Sequence, residues 1–210
     1  MLRSPILRQL DLPNLFTLTG LALTLLSITW SIQGRFALAI LGMMYAGLFD
    51  LFDGVVARKI LERTPLQTAV GKQLDSLVDL CSFGLGPVVF AYCYGLQSFW
   101  EILLLLFYLV ACASRLAYFN CTGMASEGKT AFFTGMPVTY AALWIPLAFT
   151  IHLGCPASLV RPWLAIWYGG IAAAMVAGWK IPKPRGSWYG VFGFLALLLT
   201  AYYAWAIWHG

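Results

Sequence analysis

Four aspartates, Asp50, Asp53, Asp75 and Asp79, stand in otherwise strongly apolar sequence. Asp50 and Asp53 are spaced i,i+3, and Asp75 and Asp79 i,i+4, so on helices each pair occupies one face. Carboxylates that converge in a partly dry site repel one another, and divalent cations relieve that repulsion. Hard ions such as Mg²⁺ take oxygen ligands and often share them with substrate phosphates. The chemistry on offer is therefore metal-assisted handling of a phosphate or diphosphate. Small residues flank the acids: Gly54 and Ala57 follow Asp53 by one and four positions, and Gly71 precedes Asp75 by four. They leave room for a ligand beside the carboxylates. The competing explanation is salt bridging to Arg58, Arg63 or Lys72, and each glycine alone is explained by close helix packing. Four acids with small residues on the same faces favour a site, since ionisable residues inside a membrane are functional by default.

That setting is a membrane. The chain of 210 residues is 61% hydrophobic and only 10% charged, far below the quarter or so of charged residues in a soluble domain. At roughly 20 apolar residues per crossing, seven spans are expected, at about 13–33, 35–58, 71–96, 98–119, 135–153, 162–180 and 187–208. Residues 2–11 pattern as a short amphipathic surface helix, with Leu2, Ile6, Leu7 and Leu10 set against Arg3, Arg8 and Asp11. Pro13 breaks it from the first span. The net charge is +5. In a membrane chain this marks cytoplasmic loops and not a nucleic-acid partner. With the N-terminus inside, Arg3, Arg8, Arg58, Lys59, Arg63, Lys72, Arg115, Lys129, Lys180, Lys183 and Arg185 fall inside, and only Arg35 and Arg161 outside. Both acid pairs then lie at the cytoplasmic side, and the C-terminus lies outside. The five cysteines lack paired spacing and are expected as buried small hydrophobes. No cleavable signal peptide is evident. His152 is expected at the outer interface, and Glu127 and Lys129 as ordinary loop charges.

The run D50-xx-D53-G54-xx-A57-R58, followed by G71-xxx-D75-xxx-D79, resembles the signature of the CDP-alcohol phosphotransferase family. The resemblance covers residues 12 to 186. It implies an all-α integral membrane enzyme, a single transmembrane domain over 1–210. A six-helix core would occupy 12–186, residues 187–210 would add one C-terminal transmembrane helix, and 1–11 would form the surface helix. It also implies displacement of CMP from a CDP-linked lipid by an alcohol, with Asp50, Asp53, Asp75 and Asp79 holding Mg²⁺ or Mn²⁺ and Asp79 acting as general base. Asn14 and Thr17 in PNLFT, with Gly54, Arg58, Thr68 and Gly71, are the CDP-lipid contacts it implies. Twelve residues separate Arg58 from Gly71, where the family usually has eight or nine.

Within the family, GKQLDSLVDLCSFGLGP (71–87), RLAYFN (115–120), FFTGMPVTYAA (132–142) and MVAGWKIPKPRG (175–186) are similar to the phosphatidylserine synthase subgroup. Tyr118 and Thr139 depart from it, standing where the subgroup usually has Arg and Pro. The resemblance implies CDP-diacylglycerol and L-serine as substrates, phosphatidylserine and CMP as products, and a homodimer as the assembly. Arg115 and Lys180 are the candidate cations for the serine carboxylate; membrane anchoring is their ordinary role. Other acceptors, namely inositol, inositol phosphate, glycerol phosphate or choline, stay open. An intramembrane prenyltransferase also pairs aspartates on a diphosphate but lacks the DGxxAR run. An ion transporter would favour acids near the midplane on broken helices.

Overall fold

The computed structural model describes residues 4–59, 64–123, 125–127, 130–182 and 187–209, with the side chains of 7, 53–59, 125–127, 130–131 and 187–189 outside that description. Helix α1 spans Leu12–Ile32, α2 Phe36–Lys59, α3 Pro65–Asp79, α4 Gly86–Tyr94, α5 Phe99–Thr122, α6 Ala141–Phe149, α7 Ala157–Val176 and α8 Ser187–His209. A π-turn, Leu80–Leu85, joins α3 to α4, so Pro65–Tyr94 is one continuous rod. Among the described residues, five helices are long and apolar enough to cross a membrane, and two shorter apolar stretches lie at Phe36–Phe52 and Val138–Leu153. Together they correspond to the seven expected spans.

Lipid gives apolar side chains no reason to leave the surface, so the helices meet through small and hydroxylic residues. On α1 the buried stripe is Asn14, Thr17, Gly20, Thr24, Ser27 and Ser31, while Leu15, Leu25 and Leu26 face outward. Ser27 Oγ donates to the Ala39 carbonyl of α2 at 2.7 Å, and a Cβ on Gly42 would stand 3.0 Å from that of Ser27. A Cβ on Gly47 would come within 2.5 Å of Ala142, so only glycine lets α2 and α6 approach this closely.

Local chemistry sets the helix ends. Asp11 caps α1, accepting from the Asn14 N–H at 3.3 Å. Thr64 and Gln67 form a reciprocal capping box with Pro65 in the first turn of α3, a strong start signal. The third span therefore begins at Pro65 and not at 71. Residues 65–70 of the interval between Arg58 and Gly71 form the opening of this helix. Within Val138–Leu153, Pro146 lies inside α6, and 3₁₀ turns flank that helix. Tyr203 of α8 donates to the Pro146 carbonyl at 2.5 Å, and Tyr202 to that of Thr150. Helix α8 thus packs on α6 and α2 and buries Leu199 and Tyr203 in the common core.

Two features differ from expectation. In place of a surface helix over 2–11, the described part holds a single 3₁₀ turn, Leu7–Gln9. Asp11 already caps α1, and a stretch this short cannot pay the nucleation cost of an α-helix. A three-stranded antiparallel sheet also appears, with β1 Ala125–Glu127, β2 Thr130–Thr134 and β3 Lys180–Pro182. It links the end of α5, the start of α6 and the end of α7. Gly135, at φ 73°, turns the chain out of β2, and any Cβ there would strike the Met175 carbonyl at 2.4 Å.

Candidate active site

Helices α2 and α3 bring Asp50, Asp75 and Asp79 together: one carboxylate oxygen from each lies within 4.8 Å of the others. The i,i+4 spacing on α3 stacks Asp75 over Asp79, and α2 delivers Asp50 from the facing side. Asp79 is buried and the other two are half-buried. Three hard oxygen donors at this spacing suit one divalent cation, which prefers such ligands and commonly completes its shell with phosphate. Asp53 follows one turn along α2, but its side chain, and those of Gly54 and Arg58, lie outside the described residues.

A small pocket opens against the carboxylates, lined by Thr17, Gly20, Ala46, Asp50, Val78, Asp79, Ser82 and Phe83. Of the residues expected to contact a CDP-lipid, Thr17 is thus at the site. Its hydroxyl donates to the Pro13 carbonyl at 3.3 Å. Asn14 is buried nearby on α1, and its amide donates to the Gln9 carbonyl. Gly71 is buried on the first turns of α3. Thr68 is exposed, and its hydroxyl donates to the Thr64 carbonyl.

Ser82 escaped the sequence reading. It is buried, lines the pocket, and shares a 2.6 Å hydrogen bond with Thr24 across the α1 interface. Its spacing of three from Asp79 was the available signal. A second unforeseen contact fastens α3 to α5: Lys72 Nζ donates to the Asn120 carbonyl at 3.1 Å, and Asn120 Nδ2 donates to Ser76 Oγ at 2.8 Å. Lys72 thus ties the acid-bearing helix to α5.

The two acceptor-side candidates separate. Arg115 is 6% exposed, its guanidinium lies over Phe119 and Phe133, and its Nε has no hydrogen-bond partner. Helix α5, which carries Arg115, packs against the π-turn that follows Asp79. Lys180 is exposed on β3. His152 is elsewhere, accepting or donating a 2.9 Å hydrogen bond with Tyr94 and stacking on Phe149.

A family model described as CDP-alcohol phosphatidyltransferase matches residues 10–209 of this sequence. The chain belongs to the CDP-alcohol phosphatidyltransferase family. The match runs past residue 186 and includes α8. Among similar proteins, a CDP-diacylglycerol–serine O-phosphatidyltransferase of Saccharomyces cerevisiae is 38% identical over 50% of this chain and 39% of its own length. An archaetidylserine synthase of Methanothermobacter thermautotrophicus is 36% identical over 64% of this chain and 55% of its own. A CDP-diacylglycerol–serine O-phosphatidyltransferase of Bacillus subtilis is 31% identical over 81% and 89%. The alignment thus spans less than two thirds of the first two relatives and most of the third. With its apolar helices, membership of this family makes the chain an integral membrane protein whose three-aspartate cluster suits a divalent cation.

Proposed function

We propose that this protein transfers the phosphatidyl group of CDP-diacylglycerol to L-serine, giving phosphatidylserine and CMP. The observation that carries the proposal is the convergence of Asp50, Asp75 and Asp79 within 4.8 Å on the segment that bears the family's signature. The serine assignment draws on the names of the yeast and Bacillus relatives, and on the archaeal one, whose name also specifies a serine lipid.

Asp50, Asp53, Asp75 and Asp79 would hold Mg²⁺ or Mn²⁺, which supplies charge neutralisation at the diphosphate and at the departing CMP. Asp79, the most buried of the three described acids, takes the proton from the serine hydroxyl as that oxygen bonds to the phosphatidyl phosphorus. The phosphorus–oxygen bond to CMP breaks, and CMP leaves with the electron pair. Arg58 and Gly54, with Asn14, Thr17, Thr68 and Gly71, receive the CDP-lipid: arginine offers fixed charge to phosphate, and glycine lets backbone approach. Arg115 receives the serine carboxylate from the α5 side, with Lys180 the outer cation. Direct attack needs no covalent intermediate on the protein.

The whole of 1–210 acts as one transmembrane domain, with 12–186 the catalytic core and α8 an added helix. The excess of basic residues places the site and the N-terminus on the cytoplasmic side, and the assembly is a homodimer. The test is CMP release from CDP-diacylglycerol by purified protein with serine, inositol, inositol phosphate, glycerol phosphate or choline. Release with serine alone is expected; release only with another acceptor overturns the assignment.

A further inference from the structure

The helix that carries Asp75 and Asp79 is not a plain α-helix. Directly after Asp79 the backbone widens into the π-turn Leu80–Leu85, in which the Gly86 N–H reaches the Cys81 carbonyl five residues back. Pro87 is the local cause. It has no N–H for the Phe83 carbonyl four residues earlier, and its ring crowds that carbonyl.

Two phenols from other helices donate here, one to a carbonyl within the π-turn and one to a carbonyl just past it in the first turn of α4. Tyr108 of α5 donates its hydroxyl to the Phe83 carbonyl at 2.6 Å, and Tyr168 of α7 donates to the Pro87 carbonyl at 2.6 Å. Both tyrosines are fully buried, with ring centroids 5.0 Å apart. A buried carbonyl needs a donor, and here the donors come from side chains of α5 and α7, with Tyr108 reaching the backbone of Phe83 at the pocket wall.

An extra residue in one turn rotates the helix on one side of it by about 100° against the α-helical register. Helix α4 is fixed by Gly86, Pro87, Phe90 and Ala91, all buried. The rotation is therefore expressed on α3, whose acidic face it turns toward Asp50 and α1. Ser82 and Phe83, inside the π-turn, line the same pocket as Asp50 and Asp79.

We propose that Tyr108 and Tyr168 are positioning residues for the acid site: their hydroxyls hold the π-turn open, and the π-turn aims Asp75 and Asp79 at Asp50. The inference rests on the metal-dependent function proposed above. π-turns of this kind recur at functional sites, and here the geometry supplies the reason.

The test compares Tyr108→Phe with Tyr203→Phe in the full-length protein in lipid nanodiscs. Each change removes one buried hydroxyl from a carbonyl near a helical proline, but Tyr203 serves Pro146 on α6, away from the acids. Binding of Mn²⁺ is read from the loss of its free electron-spin signal, and turnover from CMP release. Tyr108→Phe is expected to weaken Mn²⁺ binding and lower kcat by about tenfold each, with the KM for CDP-diacylglycerol held within about twofold, as for supports of metal ligands generally. Tyr203→Phe is expected to leave both unchanged, whatever it does to the melting temperature. Tyr168→Phe is the second probe and should act as Tyr108→Phe does. Wild-type Mn²⁺ affinity in Tyr108→Phe and Tyr168→Phe, or equal loss in Tyr203→Phe, overturns the positioning role alone. A wild-type protein that neither binds Mn²⁺ nor releases CMP overturns the function proposed above, and this inference with it.

Discussion

The two ends of the helical bundle handle charge in opposite ways. At one end Glu101 of α5 meets Arg161 of α7 at 3.1 Å, one carboxylate to one guanidinium, and Glu101 also closes the Ser98 capping box. Nearby, Phe36, Phe90, Tyr94 and Phe149 form an aromatic cluster with several edge-to-face contacts, and His152 meets it at Tyr94 and Phe149. At the other end, about 21 Å along α2 from Phe36 at 1.5 Å per residue, three carboxylates crowd within 4.8 Å beside a pocket. Aromatic surface and a one-to-one ion pair are what a bundle uses to hold itself together. Three carboxylates set this close beside a pocket offer the hard oxygen donors that a divalent cation takes.

The largest break in that comparison should come from Asp79→Asn. Removing the proposed base should lower CMP release by about 10²- to 10⁴-fold, while binding of CDP-diacylglycerol, followed by equilibrium dialysis in detergent, stays near wild type. Turnover at the wild-type rate would remove Asp79 from the chemistry. Arg115→Lys is the next in size. Lysine keeps the charge but loses the planar fork that grips a carboxylate, so the KM for serine should rise about tenfold, with little change in that for CDP-diacylglycerol. Equal effects on both constants would make Arg115 a packing residue. The smallest effect should come from the opposite end. Glu101→Gln breaks an ion pair whose arginine side chain is 42% exposed, worth at most about 1 kcal/mol. The thermal midpoint should fall slightly and turnover should hold within about twofold. A turnover loss rivalling that of Asp79→Asn would erase the contrast between the ends.

How much of this was legible in the sequence depended on the range of the contact involved. The pairing of acids on helix faces follows from 3.6-residue periodicity and needs nothing beyond the spacing. The start of α3 was also written locally, in the Thr64–Pro65–Leu66–Gln67 run, although apolarity alone placed it six residues later. The expected span over 71–96 passed over Pro87, whose missing N–H makes the helix irregular, and the hydroxyls at that irregularity come from Tyr108 and Tyr168 on helices distant in sequence. Ser82 became a pocket residue only once Thr24 and Asp50 were in place around it. The three short strands carry too few residues for an alternating pattern. They form where the ends of α5 and α7 meet the entry to α6. Residues 4–11 show the reverse case: they belong to a stretch whose amphipathic spacing pointed to a helix, and they hold a single 3₁₀ turn at Leu7–Gln9.

The most direct test of the acid end is chelation and restoration. Purified protein in CDP-diacylglycerol and serine should release no CMP in excess EDTA, and adding Mn²⁺ or Mg²⁺ beyond the chelator should restore the full rate. Full activity that persists in EDTA would show that the cluster of Asp50, Asp75 and Asp79 is not a metal site for phosphatidyl transfer.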